Sequence, residues 1–457
     1  MIVLLALVAG VVDDAEHVRW DRVSDDLAAA ATASQPDGMT ALHWAAVHGH
    51  AAIVAPLLAA GAKVDAETAY GLTPLSIACE YGADGVAAAL IEADADVAHK
   101  RAGKIAPLHL ASRNGSPAIV RALLAAGADA NAGEAAGQTS LMWAAAAGHA
   151  DAVSALLDGG ADPLRALERS GMTALMFAAR HGRLEVCRRL VAAGVPVDAV
   201  TETGPRDDRA PRTGMSAQMF AVESGHLAVA LELVRLGADP NDQRSRFAPL
   251  HAISWVRRAE LGDNPAGDPE PRITGGIDSL EYVRRLIAAG ADVNLRLANA
   301  KVDPKRLNRK GATPFLLAAR GADLPLMSLL LELGADPTIP NATGTTSLMA
   351  AAGVGVKAVG EEPGLPPEVN AAVRLLADLG LDVNAVDSEG DTAMHGAALR
   401  NYPSTVRLLA ELGADPAVWN RPNSRGWTPH DIGHGKRFGS VKPSPPTLAA
   451  LDEALGR

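Results

Sequence analysis

Residues 39–50 read MTALHWAAVHGH, and four later stretches follow the same template: LTPLSIACEYGA (72–83), IAPLHLASRNGS (105–116), QTSLMWAAAAGH (138–149) and MTALMFAARHGR (172–183). One apolar position recurs at Leu42, Leu75, Leu108, Leu141 and Leu175, in steps of 33, 33, 33 and 34. The register continues at Gln218, Leu250, Phe315, Leu348, Met394 and His430, where the longer steps mark insertions. A period of this length belongs to an array in which each unit is one supersecondary element that buries its apolar face only against its neighbours.

A second marker follows the first in each unit, as in LLAAGAKVDA (57–66), LLAAGADANA (123–132), LVRLGADPND (233–242), LIAAGADVNL (286–295) and LLELGADPTI (330–339). Both markers read as helices. Thr40, Thr73, Thr173, Thr313, Thr392 and Thr428 stand where a hydroxyl caps a first helix. Pro74, Pro107, Pro249, Pro314 and Pro429 sit in the first turn, where no backbone N–H is needed. Ala pairs such as Ala45–Ala46 and Ala178–Ala179 let two helices approach closely, and Trp44 and Trp143 take a position read here as core. Glycines, Gly49 and Gly148 among them, close the first helix, and others, such as Gly61 and Gly127, end the second.

Three histidines fall within HWAAVHGH (43–50) and raise the question of a metal site. Zinc on a helix needs neutral imidazoles at i, i+3 or i+4, whereas His43 and His48 are five apart and Gly49 precedes His50. In other copies the first position is Ser76, Met142, Met176 or Leu316, so it preserves no ligand chemistry. No metal is expected there.

The unit of about 33 residues, carrying T-P-L-H-x-A-A, then G-H, then L-L-x-x-G-A-D-V-N, resembles the ankyrin repeat, and the chain resembles a bacterial-type multi-ankyrin array over nearly its whole length. The resemblance implies an all-α solenoid of stacked helix pairs with short β-hairpin fingers, a curved rod roughly 100 Å long. It also implies that His43 and His50 bond locally to backbone and hydroxyl groups. It places partners in a concave groove lined by the first helices and the hairpins.

Composition fits such an array. Only 3% of the residues are aromatic against 48% hydrophobic, which suits closely spaced Ala-rich helices. The net charge of −11, with no long basic run, argues against nucleic acid as a partner. Cys79 and Cys187 fall about three repeats apart, too far for a disulfide in an elongated array, and read as small core residues. MIVLLALVAGVV (1–12) is too short to span a bilayer. It either packs into the first unit or is an export-signal remnant. A cytoplasmic location is expected, with the periplasm as the alternative if the stretch is such a remnant.

The organisation expected is a degenerate capping unit with the apolar N-terminus (1–37), ten repeats (38–425) and a C-terminal capping unit (426–457). In the first cap Val18 and Ala30 stand where glycines would, and Asp25 and Asp26 fall on an otherwise apolar face. Insertions at 201–213 and 296–310 lengthen fingers, and those at 257–278 and 354–368 lengthen turns between helices. Four insertions clustered in neighbouring repeats point to a binding role. The finger at 296–310 is locally basic, with Arg296, Lys301, Lys305, Arg306, Arg309 and Lys310 against Asp303 alone.

No catalytic motif appears. AAGVGVKAVGEE (351–362) lacks the third glycine of a dinucleotide loop and the Gly-Lys-Ser/Thr of a phosphate loop. The resemblance implies that the residues just before the helix-ending glycine point into the groove, and among them Tyr, Trp and Arg are the types enriched in binding hot spots. The expected protein-binding residues are His48, Tyr81, Arg113, Arg180, His181, Trp255, Arg320 and Arg400, with Lys305 and Arg306 from the basic finger. The expected function is a monomeric, non-enzymatic scaffold or adaptor that binds another protein and needs no cofactor. Two alternatives remain: a peripheral membrane adaptor using the basic finger and the apolar amino end, and an enzyme or enzyme-associated subunit with a pocket under the 257–278 and 354–368 loops, around Asp263, Glu361 or Glu362.

Overall fold

The computed structural model describes residues 11–202, 213–258, 271–299, 306–360, 363–438 and 442–456. The chain forms two compact units, Met1–Pro211 and Arg212–Arg457. The division falls within the first inserted finger.

In the N-terminal unit five helix pairs follow one another: Ala41–His48 with Val54–Ala59, Pro74–Tyr81 with Asp84–Glu92, Pro107–Asn114 with Pro117–Ala125, Ser140–Ala147 with Ala150–Asp158, and Ala174–Arg180 with Leu184–Ala192. The C-terminal unit contributes five more, from Ala217–Glu223 with Leu227–Arg235 to Ala393–Arg400 with Pro403–Glu411. A short helix, Pro416–Trp419, that the repeat pattern does not foretell buries Trp419, and Pro429–Gly433 with Pro445–Ala454 closes the unit. Among the described residues the fingers pair only as single antiparallel bridges, such as Arg101 with Ile105 and Gly133 with Thr139.

The caps form as the sequence implies, with one variation. Thr73, Thr173 and Thr313 accept the backbone N–H three residues on. Where that third residue is histidine, the imidazole takes over. The Thr40 N–H donates to His43 Nδ1 (3.1 Å), which leaves the Nε2–H to donate to the Leu72 carbonyl (3.0 Å) in the next repeat. His395 does the same with Thr392 and the Trp427 carbonyl. Burial pushes both imidazoles below the ordinary histidine range, His395 to about 4, and neutral rings are what these bonds require.

Two polar devices tie one repeat to the next. In the Gly-Ala-Asp-x-Asn segments the Asn side chain bonds the following repeat twice: Asn131 donates to the Gly160 carbonyl (3.1 Å) and accepts from the Asp162 N–H (2.7 Å). Asn241, Asn294 and Asn384 repeat the pattern in the C-terminal unit. The last carbonyls of the first helices, orphaned by helix geometry, are bonded by side chains from later repeats. Asn114 reaches the Glu80 carbonyl (3.1 Å), His149 that of Arg113 (3.0 Å) and Arg183 that of Ala146 (3.0 Å). The histidine of the Gly-His position at His149 thus ties one repeat to the next; among the described residues no group of three or more His, Cys, Asp or Glu side chains is placed to hold a metal ion.

One core expectation needs correction. Trp44 and Trp143 are half-buried, Trp44 with its indole N–H donating to Gln35 Oε1 (3.0 Å), because the first helices keep one edge at the surface. Asp25 and Asp26 are exposed: Asp26 interrupts the helix and accepts the Ala29 N–H to start a new one at Leu27. Cys79 and Cys187 are buried and not joined in a disulfide.

Candidate interaction surface

In the N-terminal unit the ends of the first helices are open to solvent. Tyr81 is 61% exposed. Beside it, Glu80 gathers two guanidinium groups, accepting from Arg113 Nη2 on the next repeat (2.7 Å) and from Arg101 Nη1 on the finger (3.0 Å). The Arg113 guanidinium lies 5.3 Å from the centre of the Trp143 ring, within cation–π range. At solvent-exposed positions such pairs add little stability. What they do is hold long side chains in fixed rotamers, which lowers the ordering cost of a later contact. Arg180 is exposed, and His181 is exposed with Nδ1 on the Phe177 carbonyl (2.9 Å). His48 is exposed yet anchored, stacked on Trp44 with Nε2 on the Glu16 carbonyl (3.1 Å), while His50 stacks on Trp20 with ring centres 4.8 Å apart.

The C-terminal unit places its equivalents differently. Trp255 is half-buried and packs edge-on to Phe247 (4.8 Å), and Arg309 of the basic finger lies 5.8 Å from the centre of the Phe247 ring. Arg320 and Arg400, expected in the open, are buried at 7% and 2% exposure. The cause is the inserted turn, which in its described residues 354–360 and 363–368 folds back across these helix ends. Arg400 donates to the carbonyls of Arg320 (2.8 Å) and Pro363 (3.1 Å), and Tyr402 Oη to that of Gly364 (2.9 Å). Arg258 forms a two-pronged pair with Glu368 (2.8 and 2.9 Å), and Arg257 a more buried one with Asp323 (2.7 and 3.0 Å). Arg320 and Arg400 are therefore parts of the packing, not of an open surface. Arg306 is half-buried, and Lys305 lies outside the described residues, as do Asp263, Glu361 and Glu362.

The pattern of helix-end residues did not point to a cavity of about 160 Å³ in the C-terminal unit. It opens among the fingers at 306–308, 343–345, 387–391 and 423–427 and is lined by Asp387, Glu389, Asp391, Arg425, Trp427 and Phe438, with Arg306 at its edge. Gly355, in the left-handed region at φ +83°, is required there, since a Cβ would stand 2.4 Å from the Leu307 nitrogen. Asp387 accepts from Thr345 Oγ1 (2.8 Å) and from the backbone N–H groups of Glu389 (3.0 Å) and Asp391 (2.9 Å). Burial nonetheless raises the pKa values of Asp387 and Asp391 above the usual carboxylate range. One signal in the sequence could have found the site: between the finger's Gly and Thr stand Met39, Leu72 and Met172 in other repeats, but Asp391 and Trp427 here.

Family models for ankyrin repeats match residues 21–101, 108–201, 166–244, 310–342 and 369–410. The chain belongs to the ankyrin repeat family, whose repeats are protein-interaction modules. It is 35% identical over 156 residues to ankyrin repeat domain-containing protein 63 of Homo sapiens, covering 33% of this chain and 34% of that protein. It is 34% identical over 120 residues to ankyrin repeat and SOCS box protein 16 of Mus musculus, covering 26% and 24%. To ankyrin repeat and SAM domain-containing protein 6 of Rattus norvegicus it is 34% identical over 139 residues, covering 29% and 14%. The matched region thus spans about a third or less of each relative's length. Among the described residues no helix is long and apolar enough to cross a membrane.

Proposed function

We propose that the chain is a non-enzymatic scaffold that binds a partner protein through the groove formed by its first helices and fingers, with the inserted segments adding specificity. The observation that carries this reading is the Tyr81–Glu80–Arg113 group: an exposed aromatic beside two guanidinium side chains already fixed by one carboxylate. Tyr and Arg are the types that dominate binding energy when a partner removes them from water. Pre-fixed rotamers favour their use, because little entropy remains to be lost. Arg180 and His181 extend the same exposed edge three repeats on from Tyr81.

The test is differential capture from lysate of the producing cell. Wild-type protein is compared with a Tyr81→Ala, Arg113→Ala and Arg180→Ala triple variant, both shown to be folded by circular dichroism. A partner retained by the wild type and lost from the variant is the expected result. Equal capture by both overturns the groove reading and moves attention to the inserted segments.

A further inference from the structure

The cavity of the C-terminal unit already seats one cation on its aromatic wall. The Arg425 guanidinium lies 5.9 Å from the centre of the Trp427 ring and 5.6 Å from that of Phe438, which pack edge to face. Its Nη1 stands 3.5 Å from Asp391 Oδ2, whereas a tight charge-assisted bond is about 2.7–2.9 Å. The other Asp391 oxygen takes a full hydrogen bond from Asn423 Nδ2 (2.8 Å). The cavity thus presents an under-used carboxylate oxygen on a residue that is 5% exposed, beside an aromatic wall. Carboxylates also outnumber guanidinium groups in the lining, with Asp387, Glu389 and Asp391 against Arg306 and Arg425.

We infer that this cavity receives the guanidinium or ammonium end of an Arg or Lys side chain from a partner protein, held by Asp391 and Glu389 against Trp427 and Phe438. The volume suits the end of one side chain, since a cavity of about 150 Å³ admits a benzene-sized guest. A cation on an aromatic face with carboxylates at its edge gains from both interactions, and more as water is excluded. The raised pKa values of Asp387 and Asp391 agree with this, because burial leaves their charged forms under-compensated until a further positive charge arrives. That the cation is protein-borne rests on the protein-binding reading; the cation site itself does not.

The experiment uses the full chain and follows the Trp427 indole resonance by NMR, assigned with Trp427→Phe. The probes are methylguanidinium, its neutral analogue N-methylurea, free arginine and the blocked tripeptide acetyl-Gly-Arg-Gly-amide. Methylguanidinium and the tripeptide are expected to shift the resonance saturably and N-methylurea not to. Affinity is expected to fall about tenfold or more in Asp391→Asn and in Glu389→Gln. Glu389 is only half-buried, so its variant serves even if Asp391→Asn weakens folding. No shift, an equal shift with N-methylurea, or unchanged affinity in both variants overturns the proposal. Tighter binding of the tripeptide than of free arginine supports a protein-borne cation, and the reverse overturns that source. Because groove capture is tested in the N-terminal unit, failure of either reading is seen separately.

Discussion

Arg180 and Arg320 occupy one position of the repeat, and His181 and Arg400 the next, yet the N-terminal unit exposes its pair while the C-terminal unit buries both arginines. Between the two units the repeat grammar is the same; what differs is an insertion. In the N-terminal unit only two to five residues join paired helices, so the helix ends stay open. In the C-terminal unit the turn at 354–360 and 363–368 lies across them, and the Arg400 guanidinium, suited to an interface, bonds instead to the Pro363 carbonyl of the turn and to the Arg320 carbonyl. A repeat position therefore fixes where a side chain starts, and the neighbouring loop decides what it meets.

The sharpest way to break this comparison is to remove a charge from a surface pair in one unit and from a buried pair in the other. Asp323 is 1% exposed, bonds Arg257 through both oxygens and caps the helix Leu324–Glu332. Asp323→Ala is expected to cost about 3–5 kcal/mol, because Arg257 is left buried and uncompensated. Glu185→Ala, which breaks the exposed pairing with Arg189, should cost under about 0.5 kcal/mol. Urea unfolding followed separately for the two units measures both. Equal losses would show that the insertion does not create a more tightly packed charge environment.

The next effect is in pH. Burial lowers His251 and His395, both in the C-terminal unit, from 6.5 to about 4. Between those values the unfolded chain binds protons that the folded one does not, so stability is full above about pH 6.5 and falls as the pH drops towards 4. The shift corresponds to roughly 3 kcal/mol per histidine at the acid end of the window. Asp387 and Asp391, with raised pKa values, act in the opposite sense just above the ordinary carboxylate range. The contribution of His395 is therefore read from the difference between wild type and His395→Gln at pH 7.5 and pH 5. Wild type should lose more stability over that interval; parallel losses would mean that the buried ring carries a proton.

A smaller effect tests the strapping itself. Arg400→Ala is expected to cost about 2–3 kcal/mol, since it strands the carbonyls of Arg320 and Pro363 under the inserted turn. His181→Ala, at the same repeat position in the open, should stay within about 0.5 kcal/mol. If Arg400→Ala is equally mild, the turn at 354–368 is not held by the groups that touch it.

This contrast also explains what could be read in the sequence. Thr73, Pro74, Gly82 and the Leu75 series gave helix starts, stops and facing because each rests on local backbone chemistry repeated many times. The exposure of Tyr81, Arg113, Arg180 and His181 followed from the same register. Arg320 and Arg400 were misread because their surroundings come from residues that belong to no repeat and have no template to align with. The cavity escaped for a related reason. Asp391 and Trp427 were visible as odd residues between Gly and Thr, but their meeting with Phe438 depends on how the last, non-repeating segment turns.

The smallest effect isolates backbone from packing at the end of the first helix, where the repeat calls for a left-handed residue. Val18 has φ +64° where the following repeat has Gly49 at φ +67°, and Val18 is 55% exposed. An L-residue in that region carries about 1–2 kcal/mol of strain. Glycine relieves it but costs more chain entropy on folding, so Val18→Gly should gain only about 0.5 kcal/mol in the N-terminal unit. The reciprocal Gly49→Val has open space for its side chain and should lose about 1–2 kcal/mol on conformation alone. Ala322 holds the same left-handed place in the C-terminal unit at φ +49° but is fully buried, against Gly364 of the inserted turn. There the relief of strain is offset by the loss of a buried methyl, worth about 0.8 kcal/mol, and Ala322→Gly should be close to neutral. A clear gain at Ala322 would mean that the turn presses on this helix end without packing against it.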